Sequence, residues 1–177
     1  MSDGPRVVLI GPPGVGKTTV AGLLGAMLGL AVRDTGADVA RVAGKPVPEI
    51  FVDDGEPAFR ELERAAVAAA LAEHDGVLAL GAGAVMDPLT EEALRGHPVV
   101  MLDVGLSEVA RRIGFNRDRP LLLGNPRAQW MRLMEGRRPV YQRAATAVVA
   151  TDGQTPQQVA DAVAAALGLS PESGEGV

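Results

Sequence analysis

Gly11-Pro12-Pro13-Gly14-Val15-Gly16-Lys17-Thr18 matches the spacing G-x-x-x-x-G-K-[ST], and the residue types explain what such a loop can do. Glycines admit positive φ, so successive backbone N–H groups can turn inward around an anion. A helix that starts at Lys17 adds the positive end of its dipole. Lys17 can reach the β- and γ-phosphates of a nucleoside triphosphate, and the Thr18 hydroxyl suits Mg²⁺. A glycine-rich turn carrying an exposed lysine is the competing explanation. Context disfavours it: the short apolar run Val7-Val8-Leu9-Ile10 precedes the loop and a helical pattern, Lys17–Leu28, follows. The loop is therefore assigned to a nucleoside triphosphate, with Gly11, Gly14, Val15, Gly16, Lys17, Thr18 and Thr19 as its binding residues.

Other residues fall at the ends of candidate elements. Asp34 ends the weak strand Ala31-Val32-Arg33, at the edge where parallel strands present ligands. Capping a helix over Ala37–Ala43 is a compatible second role for it. Arg60 stands at the start of the helical stretch Pro57–Glu73. Its charge opposes the dipole there, so a solvated face explains it poorly, and a planar guanidinium suits a carboxylate. Gly81-Ala82-Gly83 follows a buried strand, and small residues there let backbone approach a ligand closely. Arg119 lies in the charged, Pro- and Gly-containing stretch Arg117–Asn125, which reads as a mobile loop. An arginine closing over a transferring phosphate would stabilise charge and exclude water. Trp130, Met131, Met134 and Tyr141 follow one helix face and its exit and are read as packing. His74 and His97 read as surface residues, and Lys45 as a solubilising one.

These residues need strands and helices to hold them. The runs at Val7, Val77-Leu78-Ala79-Leu80, Val99-Val100-Met101-Leu102 and Ala147-Val148-Val149-Ala150 each read as a strand buried on both faces. Between them lie helical stretches at Lys17–Leu28, Pro57–Glu73, Leu106–Gly114, Arg127–Ala144 and Pro156–Leu167. Asp34–Asp54 carries Gly and Pro punctuation and reads as short helices in an insertion. The β-α-β alternation predicts a doubly wound α/β fold with helices on both faces of a parallel sheet.

Composition removes several other chemistries. The chain has 177 residues, with Lys+Arg 17 against Asp+Glu 22 and a net charge of −5, which argues against non-specific nucleic-acid or membrane binding. It has no cysteine and only two histidines, so Cys nucleophiles, Cys-ligated zinc and multi-His metal centres are excluded. The longest wholly apolar stretch, Gly76 to Met86, falls short of the ~20 residues a bilayer needs. No charged segment followed by a long apolar one marks a secretory signal at the start. The expectation is a cytoplasmic protein with one domain over residues 1–170 and a fraying tail at 171–177.

From Gly11 to about Gly168 the chain resembles the shikimate kinase family of small P-loop kinases. The matching pieces are the loop, Asp34-Thr35, Phe59-Arg60-Glu61-Leu62-Glu63, Leu80-Gly81-Ala82-Gly83-Ala84, Arg119-Pro120-Leu121-Leu122 and Arg137-Arg138-Pro139-Val140-Tyr141, in order and at agreeing spacing. The resemblance implies a three-layer fold on a five-stranded parallel sheet, with a substrate-binding insertion at about 35–63 and a lid at about 115–126. It implies transfer of the γ-phosphate of ATP to the 3-hydroxyl of shikimate, with Mg²⁺, in aromatic amino-acid synthesis. Lys17, Arg119 and Asp34 become the catalytic residues, and Thr18 and Asp34 the metal site. Arg60 and Arg137 take the substrate carboxylate beside Gly81, Ala82 and Gly83. Arg112 and Pro156 flank the adenine. The implied partners are ATP and a small hydroxylated ring acid, with no nucleic acid, no membrane and a monomeric state.

Two positions depart from the family. Ala82 stands where the family usually has glycine, adding a methyl. The family's Asp-Thr-Asp or Asp-Ser-Asp is here Asp34-Thr35-Gly36-Ala37-Asp38. The resemblance gives the second aspartate the substrate hydroxyls and their proton, and Gly36 has no side chain to do this. Asp38, two residues on, faces about 200° away on a regular helix. Two further readings are a kinase of a related cyclitol or polyol acid and a non-catalytic nucleotide-binding paralogue. Lys17, Thr18, Asp34 and Arg119 together argue against the last.

Overall fold

β-branched and leucine side chains without polar neighbours suit a strand covered on both faces, and β1 (Val7–Ile10) is at most 1% exposed at every residue. Each such side chain contributes roughly 1.5–3 kcal/mol by leaving water. The computed structural model describes residues 4–105, 108, 111 and 126–170. After β1 come α1 (Lys17–Leu28), β2 (Val32–Asp34), α2 (Thr35–Ala43), α3 (Val47–Asp54) and α4 (Glu56–Glu73). Then follow β3 (Val77–Ala79), a 3₁₀ turn (Ala84–Met86), α5 (Pro88–Ala93), β4 (Val99–Asp103), α6 (Pro126–Ala144), β5 (Ala147–Ala150) and α7 (Pro156–Ala166). The expected helix Leu106–Gly114, apart from Glu108 and Arg111, lies outside the described residues. So do residues 112–125, with Arg112 and Arg119, and the tail. Residue 126, the expected end of the lid, is already the first residue of α6.

The strands form one parallel sheet in the order β2-β3-β1-β4-β5, and helices cover both of its faces. The chain runs outward from β1 to β2, returns to β3, then crosses to β4. The sheet therefore switches direction at the carboxyl end of β1, where such sheets bind ligands. The β5 edge corrects one expectation: Val148 is half exposed and Val149 buried, because successive side chains alternate between faces and one face of this edge strand is open. The main core joins the three central strands to α1, α4, α6 and α7. A second small core of Val39, Ile50, Phe59 and Ala66 fastens α2 and α3 onto α4. Lys45 has more than a solubilising role there. It pairs with Asp53 at 3.2 Å and Asp54 at 2.7 Å, tying the α2–α3 connection to the end of α3. His74 and His97 are both half-buried rather than surface residues, and the His74 Nε2 lies 2.9 Å from the Val77 carbonyl. Trp130, Met134 and Tyr141 are buried as expected, but Met131 is exposed, and Tyr141 lies within α6 rather than at its exit.

Candidate active site

Gly11 must be glycine. Its φ is +148°, and a Cβ would stand 2.5 Å from the Leu102 carbonyl oxygen of the neighbouring β4. Gly14 at +76° and Gly16 at +97° continue the inward turn, and Gly16 delivers the chain into α1. Lys17 is the first residue of α1, and its Nζ donates to the carbonyls of Gly11 at 2.8 Å and Pro12 at 3.0 Å. The lysine thus folds back over its own loop. Burial pulls its ammonium down from 10.5 to about 8, Asp34 opposes that shift, and Arg137 adds to it. Gly14, Val15, Gly16, Thr19 and Pro156, all expected at the nucleotide, line one cleft of about 290 Å³. Glu108, Thr151 and Gln154 line it too, and no sequence signal marked them.

Asp34 caps α2 as expected, and its two oxygens have different partners. Oδ1 accepts from the backbone N–H groups of Gly36 (2.8 Å) and Ala37 (3.2 Å), capping α2, which begins at Thr35 rather than Ala37. Oδ2 accepts from the Thr18 hydroxyl at 3.2 Å. A hydroxyl and a carboxylate oxygen side by side are hard oxygen donors, the chemistry Mg²⁺ prefers.

The arginine side of the site is built on α4. Arg60 is the fifth residue of that helix, since α4 begins at Glu56, so it is past the first turn and free of most of the dipole penalty. Its Nη1 donates to Glu63 Oε1 at 2.6 Å, and its guanidinium lies 5.2 Å from the Phe59 ring centroid. Glu63 is a buried carboxylate that sequence reasoning left without a role; its signal was the i,i+3 spacing from Arg60 on a helix. Burial raises its pKa, and the hydrogen bond from Arg60 and the charge of Arg137 oppose the rise. The missing side chains of the Gly81–Gly83 loop make room for this pair. A Cβ on Gly81 would stand 2.9 Å from Glu63 Oε2, and one on Gly83 would stand 2.7 Å from an Arg60 nitrogen. Neither glycine uses positive φ, so what they supply is close approach. The loop is tied down from two sides. The Gly81 N–H donates to the Thr35 hydroxyl at 3.3 Å, and the Tyr141 hydroxyl donates to the Ala82 carbonyl at 2.5 Å.

Arg137 acts electrostatically on Lys17, Glu63 and Tyr141, so its charge lies on the same side of the sheet as the loop and the Arg60–Glu63 pair. Asp38 does not join them. It holds Arg33 at 2.6 Å, on the far side of α2. Gly36 leaves space: among the described residues, a Cβ there would meet only Asp34 Oδ1 within 4 Å, at 3.1 Å.

A phosphate loop at the switch point of a parallel 2-3-1-4-5 sheet, facing a cluster of arginines across the strand ends, defines a small-molecule P-loop kinase. Residues 13–168 match the family model described as shikimate kinase. Over 165 residues the chain is 55% identical to a shikimate kinase of Streptomyces avermitilis, covering 93% of this chain and 96% of that one. Over 160 residues it is 56% identical to one of Saccharopolyspora erythraea, covering 90% and 91%. Among solved structures, a shikimate kinase from Acinetobacter baumannii in complex with shikimate superposes with a TM-score of 0.80 at 30% identity, covering 90% of each chain. The chain belongs to the shikimate kinase family. Its activity is that of an ATP-dependent kinase acting on shikimate.

Proposed function

We propose that the γ-phosphoryl group of ATP passes to the 3-hydroxyl of shikimate between Lys17 and the Arg60–Glu63 pair, in the presence of Mg²⁺. The observation that carries this reading is the convergence at the carboxyl ends of the strands of Lys17, turned over the phosphate loop, and of Arg60 beside Gly83. The loop N–H groups and Lys17 hold the β- and γ-phosphates. Lys17 leaves its two carbonyl partners to do so, and phosphate oxygens restore its charge. Thr18 and Asp34 would hold Mg²⁺, which neutralises charge on the phosphates. The adenine occupies the cleft at Pro156, and the family resemblance assigns Arg112 to it as well. Arg60 and Arg137 bind the acceptor carboxylate and so turn the ring's hydroxyls toward the γ-phosphate. The family resemblance assigns Arg119 to the charge on the transferring group.

In the transfer, a new O–P bond forms from the acceptor hydroxyl as the bond from the γ-phosphorus to the bridging oxygen of ATP breaks. The hydroxyl proton passes to an oxygen of the transferred phosphoryl group and from there to water, and ADP departs. No carboxylate stands at residue 36 to take that proton. Phosphoryl transfer rests mainly on positioning and charge stabilisation, so these residues suffice for turnover. The protein works as a cytoplasmic monomer with a single kinase domain over 1–170. The test is a coupled ADP-release assay with ATP against shikimate and other hydroxylated ring acids. Shikimate should be the best acceptor, and removing Mg²⁺ should abolish turnover. Equal or better turnover of another acid, or of a neutral polyol, would overturn the substrate reading.

A further inference from the structure

Arg137 and Arg138 are adjacent, and one of them must face away from the acceptor. The structure separates them. The Arg138 Nη1 donates to both Asp103 oxygens, at 2.8 and 2.9 Å. Asp103 is the last residue of β4, and its Oδ1 also accepts from the Val104 N–H at 2.9 Å, so the carboxylate is itself oriented. Successive helix residues point about 100° apart, while residues four apart share a face. Arg137 therefore shares its face with Tyr141, whose hydroxyl holds the Ala82 carbonyl in the acceptor loop. Pro139 interrupts α6 between these anchors. It has no N–H to give the carbonyl of Glu135, and its ring crowds that carbonyl, so the helix is weakest at this turn. Side-chain anchors must set there what the backbone ladder does not.

We propose that Arg138 is a positioning residue for the acceptor site: its pair with Asp103 fixes the rotation of α6 and so aims Arg137 at the acceptor carboxylate. This rests on the reading of Arg137 as an acceptor-binding residue. The pair is partly solvated, with side chains 33% and 24% exposed, so its worth lies in geometry more than in stability.

Steady-state kinetics with shikimate and ATP test this on Arg138→Met, Arg138→Lys, Asp103→Asn and Arg137→Met. Arg138→Met should raise the KM for shikimate about five- to tenfold, with kcat and the KM for ATP within about twofold. Arg138→Lys should recover most of the loss, since a single nitrogen makes both contacts. Asp103→Asn should match Arg138→Met, and the double variant should be no worse than either. If Arg138→Met does not fold, Asp103→Asn alone reads the same quantity. A KM for shikimate that rises in Arg137→Met but not in Arg138→Met or Asp103→Asn overturns the positioning role alone. A rise for ATP as large as that for shikimate overturns it too, because general loosening would do the same. An unchanged KM in Arg137→Met removes the acceptor reading of Arg137 and this inference with it.

Discussion

Gly36→Asp tests the acceptor site directly. Gly36 is the second residue of α2 and lies outside the left-handed region, so its backbone accepts an L side chain. Among the described residues the one close neighbour of the new Cβ is Asp34 Oδ1 at 3.1 Å, which has to give by a few tenths of an ångström. A second carboxylate roughly 6 Å from Asp34 costs about 3 kcal/mol at an effective dielectric near 20, and less where water screens it. The α2 N-terminus returns about 0.3–1 kcal/mol, and replacing a helical glycine returns a few tenths. A net loss of about 1–2 kcal/mol in stability should therefore appear in denaturant unfolding. With acceptor bound, a hydroxyl donating to the new carboxylate contributes about 1.5–3 kcal/mol. That predicts roughly a ten- to hundredfold rise in kcat/KM for shikimate, with the KM for ATP unchanged, read by coupled ADP release. Asp38→Asn should leave kcat/KM alone, because Asp38 is occupied by Arg33. A folded Gly36→Asp protein with unchanged kcat/KM would refute the placement of residue 36 beside the acceptor hydroxyl. Loss of turnover in Asp38→Asn would show that Asp38 already serves.

Lys17 predicts a pH dependence of nucleotide binding. Its free-state pKa of about 8 keeps it charged below that pH, and above it ATP must bring a proton back, so ATP affinity should fall by up to about tenfold per pH unit above pH 8. Calorimetry at pH 8.5 in buffers of different ionisation heat should detect proton uptake, and Lys17→Ala should show neither the uptake nor turnover. Arg60→Met should raise the KM for shikimate at least about tenfold and leave the KM for ATP within about twofold, since it removes a charge-assisted contact to the acceptor and strands Glu63. Tyr141→Phe strands the Ala82 carbonyl and should cost about 1–3 kcal/mol in denaturant unfolding.

The sequence by itself determined the sheet and the phosphate loop. Period and composition located β1, α1 and β5 at their observed bounds, and β1 most plainly, because a strand buried on both faces is a short unbroken apolar run. The loop was legible because glycine spacing encodes its positive φ angles locally. Asp34 and Arg60 were legible from their places at element ends, and the resemblance added Arg137. Tertiary structure alone decided what the surrounding residues do. Glu63 became the buried partner of Arg60 only because Gly81 of another element lies against it. Tyr141 read as packing, since nothing near residue 141 in the chain reveals a carbonyl 59 positions away. The choice between Arg137 and Arg138 likewise fell to Asp103, 35 residues upstream, which only the folding of α6 against β4 brings within reach. Local signals fix how a segment folds, whereas the partner of a side chain depends on which elements the sheet order places side by side.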